Sequence, residues 1–369
     1  LPDANPFRFW EMPPMIVFAR SRFTVYISVA AALLAGCGGS QPPIGATGAI
    51  TETFAPAAHA FAGTSSIHPP RYIYVTNLAR SDSGAAPSVT VYPAGRSGNV
   101  PPSEVITGSQ TQLSEPDGIV VNDSGEIYVA DSGTDEIVGF QRGAKGNATP
   151  NVVIAGSNTL LQAPVGLSLD AKENLYVGNC GSACRTSFAP PSVLEFKAGS
   201  NGNVAPIRDI TGAQTELADA NDPAIGPAGD IYVSNTTTYT IDVFRHDANG
   251  NVKPVRVIAG SRTQLDQPDG IAISSRWLYA SASRGDYLER FHRKANADAP
   301  PAAIIRGDKT RMGNVDGISL DDLGVLYAAS PSTSSIVEFA PLAHGNVRPF
   351  RKIGGSRTQL NYPLWVFVR

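Results

Sequence analysis

The sequence has little charge and no block of it. Only 17% of its 369 residues are Asp, Glu, Lys or Arg, the formal net charge is −3, and no segment carries a run of basic residues. A phosphate backbone or an anionic membrane face therefore finds no electrostatic partner, which argues against nucleic-acid binding. Long apolar runs are missing too. The one membrane-like stretch, Phe23 to Leu34, is about a dozen residues, too short to span a bilayer. There are five histidines and three cysteines, and no serine or cysteine nucleophile arrangement can be assembled.

What the front of the chain does have is an export layout. Arg20 and Arg22 precede the apolar run, and Ala35-Gly36-Cys37 follows it, the order of a signal peptide. Leu34-Ala35-Gly36-Cys37 resembles the bacterial lipobox, and that resemblance implies Cys37 as a lipid-carrying mature N-terminus. An ordinary secretory cleavage or an uncleaved anchor is the alternative. Met12 and Met15 sit just ahead of the basic pair, so residues 1–36 are read as a lipoprotein-type signal peptide with a start-site extension. Residues 37–70 are rich in Gly, Ala, Thr and Pro without a sustained period of 2 or 3.6, which predicts a flexible tether.

From residue 71 the chain repeats. The stretch Pro116-Asp117-Gly118-Ile119-Val120-Val121 is followed by the turn chemistry of Asp123-Ser124-Gly125 and by the β-prone Ile127-Tyr128-Val129. The tyrosine returns at Tyr74, Tyr128, Tyr176, Tyr232, Tyr279 and Tyr327, separated by 54, 48, 56, 47 and 48 residues. Periods of this size mark a repeat architecture. A third strand in each unit ends in an aromatic: Tyr92, Phe140, Phe196, Phe244, Phe291 and Phe339. In five units a Gly-Asn turn follows, where glycine supplies a positive φ at little cost. A short fourth strand centres on Ile106, Ile154, Ile210, Ile258, Ile305 and Ile353, and Gly-x-x-Thr-x-Leu comes behind it.

Four antiparallel strands about every 50 residues predict an all-β fold, a six-bladed β-propeller of four-stranded blades over residues 71–369. A β-helix has much shorter rungs. The repeat enters on a second strand at Tyr72-Ile73-Tyr74-Val75 and ends on a first strand at Pro363-Leu364-Trp365-Val366-Phe367-Val368, so the C-terminal strand is expected to join the N-terminal blade. The pattern Pro-x-Gly-Ile-x-Val-x-x-x-x-Gly-x-Ile-Tyr-Val-x-Asp resembles NHL-repeat propellers along residues 71–369. That resemblance implies a fold; such propellers serve as enzymes, ligand binders and interaction platforms alike.

One unit carries an insertion, Asn179 to Pro191, containing Cys180 and Cys184. In an exported protein a local disulfide between them is the expected pairing, since a metal or redox site would need further ligands nearby.

First strands line a propeller's channel, and the positions aligned on the Pro-x-Gly segment read Asp117, Val165, Asn221, Asp269, Asp316 and Leu364 around the ring. Three carboxylates and an amide oxygen about one axis would suit a hard divalent cation such as Ca²⁺. The blade pattern also resembles regucalcin and gluconolactonase-like lactonases, whose metal is held by a Glu, two Asn and an Asp. Asn221-Asp222-Pro223 is similar to that family's Asn-Asp-Gly segment and Val315-Asp316-Gly317 to its Asp-Gly segment, while Asp117 stands where the family has Glu and Asp269 where it has the second Asn. The resemblance implies a metal at Asp117, Asn221, Asp269 and Asp316, with Asp269 as the carboxylate that activates water on an ester carbonyl. The alternative is that Asp before Gly simply begins these strands.

His59 and His68 precede the repeats and His246, His292 and His344 follow third strands, so none falls on a first strand. This differs from the histidine-dependent NHL-type amidating lyases and streptogramin lyases. The repeated tyrosines predict inter-blade packing, and Arg208, Arg256 and Arg351 read as solvated outer residues. Trp365 has no aromatic counterpart in other units and either plugs the channel or walls a ligand pocket. Together these features predict a lipid-anchored binding or interaction module of the cell envelope, taking an unknown protein or glycan ligand. A metal-dependent lactonase or related hydrolase at the channel mouth is the alternative.

Overall fold

The computed structural model describes residues 72–80, 83–184 and 189–369. The expected signal peptide, Cys37 and the tether lie outside the described residues. No helix among those described is long and apolar enough to cross a membrane.

The described chain forms six four-stranded antiparallel sheets, five of them with their strands in chain order from the channel outward. Blade one has Pro116–Val121, Ile127–Asp131, Glu136–Phe140 and Val152–Ile154; blade two has Pro164–Leu169, Leu175–Asn179, Ser192–Phe196 and Arg208–Thr211. Blade three has Pro223–Ile225, Ile231–Asn235, Thr240–Phe244 and Arg256–Ile258; blade four has Pro268–Ile273, Trp277–Ala282, Tyr287–His292 and Ala303–Arg306. Blade five has Ile318–Leu320, Leu326–Ser330, Ser335–Phe339 and Arg351–Gly354. Blade six takes its inner strand, Pro363–Val368, from the chain's end and its other three, Tyr72–Asn77, Ser88–Pro93 and Glu104–Thr107, from the start of the repeats.

The last strand closes the ring. Ile73, Tyr74 and Val75 pair with Val368, Phe367 and Val366, and the terminal pair is reciprocal, with Tyr72 N donating to Arg369 O at 2.9 Å and Arg369 N to Tyr72 O at 3.1 Å. Joining the two ends this way makes the ring's integrity depend on the longest-range contact in the chain, a closure that removes what would be an unpaired strand.

Both faces of every blade are covered, which explains why the middle strands are almost wholly apolar. The third-strand aromatics Tyr92, Phe140, Phe196, Phe244, Phe291 and Phe339 are buried, and so are the six repeated tyrosines. The clusters they join run across blade boundaries: Tyr232 and Val243 of blade three pack with Leu278 and Phe291 of blade four. Fully burying such a side chain contributes about 1.5–3 kcal/mol, so inter-blade packing dominates the fold's stability.

The Gly-Asn turns prove to have a second role beyond their positive φ. Each turn sits against the preceding blade, and its Asn side chain accepts a backbone N–H from that blade's Gly-x-x-Thr-x-Leu loop. Asn147 Oδ1 accepts from Gln110 N at 2.7 Å, Asn251 Oδ1 from Gln214 N at 2.7 Å, and Asn99 Oδ1 from Arg357 N at 2.7 Å across the closure. In blade four the pair is Ala297-Asp298, and Asp298 Oδ1 takes the same bond from Arg262 N at 2.7 Å. The loop threonine closes its own turn, as Thr111 does by donating to Gly108 O at 2.7 Å.

Three arginines expected to be solvated are instead partly buried links. Arg208 pairs with Glu195 at 2.5 Å and donates to Ala248 O. Arg256 donates to Arg293 O at 3.0 Å, to Ala295 O at 2.9 Å and to the Tyr232 hydroxyl at 2.8 Å, and Arg351 pairs with Glu338 at 3.1 Å. The guanidinium's several donors suit it to carbonyls that a blade edge leaves open, which a tally of charge along the sequence cannot register.

Candidate functional site at the channel mouth

Two cavities lie along the channel that the described inner strands enclose. The first, of about 260 Å³, lies at the mouth where the inner strands begin and is lined by all six ring positions, Asp117, Val165, Asn221, Asp269, Asp316 and Leu364. The second, of about 340 Å³, lies further along and is walled mainly by apolar inner-strand residues such as Ile119, Leu167, Ile271 and Ile318. Trp365 lines both, is only 4% exposed, and so forms the partition. Its place is enforced by Gly317, where an added Cβ would sit 2.5 Å from Trp365 Cγ. Of the two roles open to Trp365 from sequence, the structure combines both: a plug in the channel and an apolar wall to the mouth cavity.

Backbone bonds between neighbouring blades set the ring. Gly166 N donates to Asn221 O at 3.0 Å, Gly270 N to Asp316 O at 3.2 Å and Gly317 N to Leu364 O at 2.8 Å. These three carbonyls are thus spent on holding the blades together.

A further link occurs only at the aspartates. The residue two after each repeated tyrosine is Thr76, Ala130, Gly178, Ser234, Ser281 and Ala329 in turn. Thr76 Oγ donates to Asp117 O at 2.6 Å, Ser234 Oγ to Asp269 O at 2.5 Å and Ser281 Oγ to Asp316 O at 2.6 Å. Each hydroxyl also accepts an N–H from its own blade, in or just before the inner strand: Trp365 at 3.1 Å, Asp222 at 2.9 Å and Gly270 at 2.9 Å respectively. Ala130, Gly178 and Ala329, which have no hydroxyl, precede the blades whose ring residues are Val165, Asn221 and Leu364.

Among the described residues, the charged groups at the mouth are of one sign. Glu115 and Ser132 join the ring residues in lining it, and no Lys, Arg or His does among the described residues. Burial pushes the Asp117 carboxyl up to about 8; the charges of Asp269, Asp131 and Glu115 push the same way, against the Ser132 hydroxyl. Burial likewise raises Asp316, with Asp269 and Asp117 adding to it. Asp269 is raised by burial and then by Asp219, against a hydrogen bond from Asn221. A carboxylate in such a setting is costly to ionise without a cation beside it.

Two acceptors at this mouth lack donors, Asn221 Oδ1 and Asp269 Oδ1. The Asn221 amide orientation follows from its neighbour. Thr236 Oγ donates to Pro268 O at 2.7 Å, so it can only accept from Asn221, whose Nδ2 lies 2.9 Å away. The amide oxygen is then left without a partner.

The four residues proposed as metal ligands therefore share one cavity. As placed, though, they do not make a metal's donor set: among the described residues no group of three or more His, Cys, Asp or Glu side chains is arranged to hold one metal ion. No chemical step is derived through a divalent cation.

Sequence reasoning missed Ser132, Glu115 and Cys184 on the cavity wall, because they follow or precede strands rather than beginning them. Cys184 comes there through the blade-two insertion, where it is disulfide-bonded to Cys180 with the Cα atoms 5.6 Å apart. Asp222, beside the ring residue Asn221, lines the second cavity instead; its Oδ2 accepts Ile271 N at 2.8 Å and burial holds its carboxyl well above the usual range. His246, His292 and His344 are exposed and line neither cavity.

Comparison with known proteins agrees with this architecture. Residues 113–140, the first three strands of blade one with their approach loop, match the NHL repeat model. A protein of unknown function from Bacteroides caccae superposes with a TM-score of 0.55 at 11% identity, covering 80% of this chain and 98% of that one. A chain of a nidogen/laminin complex does so with a TM-score of 0.57 at 11% identity, covering 80% and 97%. Virginiamycin B lyase from Staphylococcus aureus is more distant, with a TM-score of 0.42 at 14% identity over 61% of this chain and 66% of that one. No curated protein matches in sequence. Fold and ring define a closed six-bladed β-propeller. One stretch of it, residues 113–140, matches the NHL repeat.

Proposed function

We propose that this propeller is a ligand-binding module displayed at a bacterial cell envelope, carried on a lipid at Cys37 and taking its ligand at the acidic channel mouth. The observation that carries the binding reading is the convergence of Asp117, Asn221, Asp269 and Asp316 on one cavity whose described lining contains no cation. A folded protein gains nothing in stability from burying like charges and unpartnered acceptors, so such a cluster is a standard mark of a functional site. The envelope reading rests on the order Arg20, Arg22, apolar run, Leu34-Ala35-Gly36-Cys37.

Two experiments test the parts separately. Fatty-acid labelling of the full chain in a bacterial host is expected to mark the wild type and not Cys37→Ala, with the wild type partitioning into detergent; an unlabelled, freely soluble wild type would contradict anchoring. A screen of lactones and simple esters, with and without divalent cations, is expected to show no turnover. Turnover abolished by Asp316→Ala would replace the binding reading with a hydrolase.

A further inference from the structure

Resting on the binding reading above, we propose that the channel mouth recognises a primary ammonium group carried on a short apolar stem. The site demands donors. Asp117, Asp269 and Asp316 are acceptors when ionised, and Asn221 Oδ1 and Asp269 Oδ1 have no hydrogen-bond partner. Asn221 lines the cavity and is only 9% exposed, so bulk water does not supply the missing donor. An unpartnered buried acceptor is destabilising, and a ligand donor would relieve that.

The lining's distribution gives the ligand its shape. Asn221, Asp269 and Asp316 are consecutive around the ring, on blades three, four and five. The positions on either side of Asp117 are Val165 and Leu364, and Trp365 forms the floor. A donor with several N–H groups can meet two or three of the oxygens at once, while its methylenes lie against Leu364, Val165 and Trp365. An ammonium offers three donors and a full charge on a compact head. About 260 Å³ accommodates such a head with a few carbons, not a whole oligosaccharide or a folded partner. A bare metal ion meets the same charge but needs ligands on a tighter sphere than these residues offer.

Two sources carry this chemistry, a lysine side chain on a protein and the amine of an amino sugar on a glycan. Titration calorimetry on the full chain separates them and tests the proposal. The probes are n-butylammonium, Nα-acetyl-lysine amide and glucosamine. Their controls are n-butanol, Nα,Nε-diacetyl-lysine amide and N-acetylglucosamine, with tetramethylammonium as a cation lacking N–H donors and Ca²⁺ as the metal.

The expected result is that the charged amines bind, that each neutral control and tetramethylammonium bind at least about tenfold more weakly, and that Asp269→Asn and Asp316→Asn each lose about tenfold for the amines. These variants are isosteric and remove a buried like charge, so they should fold; a retained melting transition confirms it. Preference for acetyl-lysine amide over glucosamine would assign the protein source, and the reverse the glycan source. Butanol binding as well as butylammonium, or no amine binding to the wild type, would overturn the proposal. So would tight stoichiometric Ca²⁺ binding that excludes the amines. If a neutral protein or glycan ligand bound and Asp269→Asn released it, the ligand class would be wrong while the binding reading stood. Ester turnover would instead remove the binding reading itself.

Discussion

Ser281 Oγ lies 2.6 Å from the backbone oxygen of Asp316, a bond that crosses from blade four to blade five. With its equivalents from Thr76 to Asp117 and Ser234 to Asp269, it ties every ring aspartate to the blade before it, and no other ring residue receives this hydroxyl. The hydroxyl fixes the carbonyl, the carbonyl fixes the peptide plane, and the peptide plane sets where the carboxylate enters the cavity.

Ser281→Ala leaves Asp316 O with only the longer 3.2 Å bond from Gly270 N, and leaves that N–H without its 2.9 Å hydroxyl acceptor. The expected cost is about 1–3 kcal/mol, read from the denaturant midpoint at an unchanged slope. A loss of less than a few tenths of a kcal/mol would mean that the blade interface holds Asp316 without it.

Protonation at the mouth makes stability depend on pH. Asp117 moves from an unfolded value of 3.8 to about 8 in the fold, so between those values the folded state holds the extra proton. The unfolded state then binds fewer protons, and this group's contribution falls as pH rises from about 4 to about 8. Asp117→Asn removes that dependence. Its melting temperature should exceed the wild type's by several degrees at pH 8 and match it near pH 4. Asp269, Asp131, Glu115 and Ser132 face this group, so the comparison is of the difference between variant and wild type, which cancels other titrations such as that of Glu289.

Gly317 and Trp365 test the partition. Gly317→Ala puts a methyl 2.5 Å from Trp365 Cγ and 2.7 Å from its Cα, both too close to persist. The indole must shift or the blades part, and destabilisation of about 1–3 kcal/mol with a changed tryptophan emission is expected. Trp365→Ala should cost about 3–5 kcal/mol and join the two cavities. Emission unchanged in Gly317→Ala would show that the indole does not sit at the partition.

The same turn is built with different residues in different blades, which gives a stabilising prediction. Ala297 occupies the place of the Gly in Gly-Asn and holds φ at 51°, where a Cβ is disfavoured by about 1–2 kcal/mol. Ala297→Gly should therefore raise stability, by somewhat under that figure because glycine also loses more chain entropy. A fall in melting temperature would contradict this.

Much of the architecture was legible in the sequence because each blade repeats its own punctuation. The tyrosine spacing counts six blades, the aromatic at the end of each third strand marks the packed face, and an incomplete first and last unit point to the closure seen between Ile73 and Val368. The ring positions were legible for the same reason, since Pro-x-Gly fixes which residue begins each inner strand. Other features depend on what lies across a blade boundary. Ser234 and Ser281 read as ordinary strand residues until their bonds to the next blade's aspartate are seen, although their alternation with Ala130, Gly178 and Ala329 was a signal in the repeat alignment. Arg208 and Arg256 carry no mark of their partly buried carbonyl partners. Asp222 sits one residue from Asn221, but strand alternation turns it towards the second cavity.

Asp117, Asp269 and Asp316 share one desolvated mouth. Carbon-13 NMR of the aspartate carboxyls, followed as a function of pH in the full chain, measures this most directly. The expected result is an Asp117 carboxyl titrating near 8, with Asp269 and Asp316 also well above 4, and a downward move of Asp117 when Asp269→Asn removes the charge opposite it. If all three carboxyls titrated below about 5 and moved independently of one another, the shared site would be contradicted.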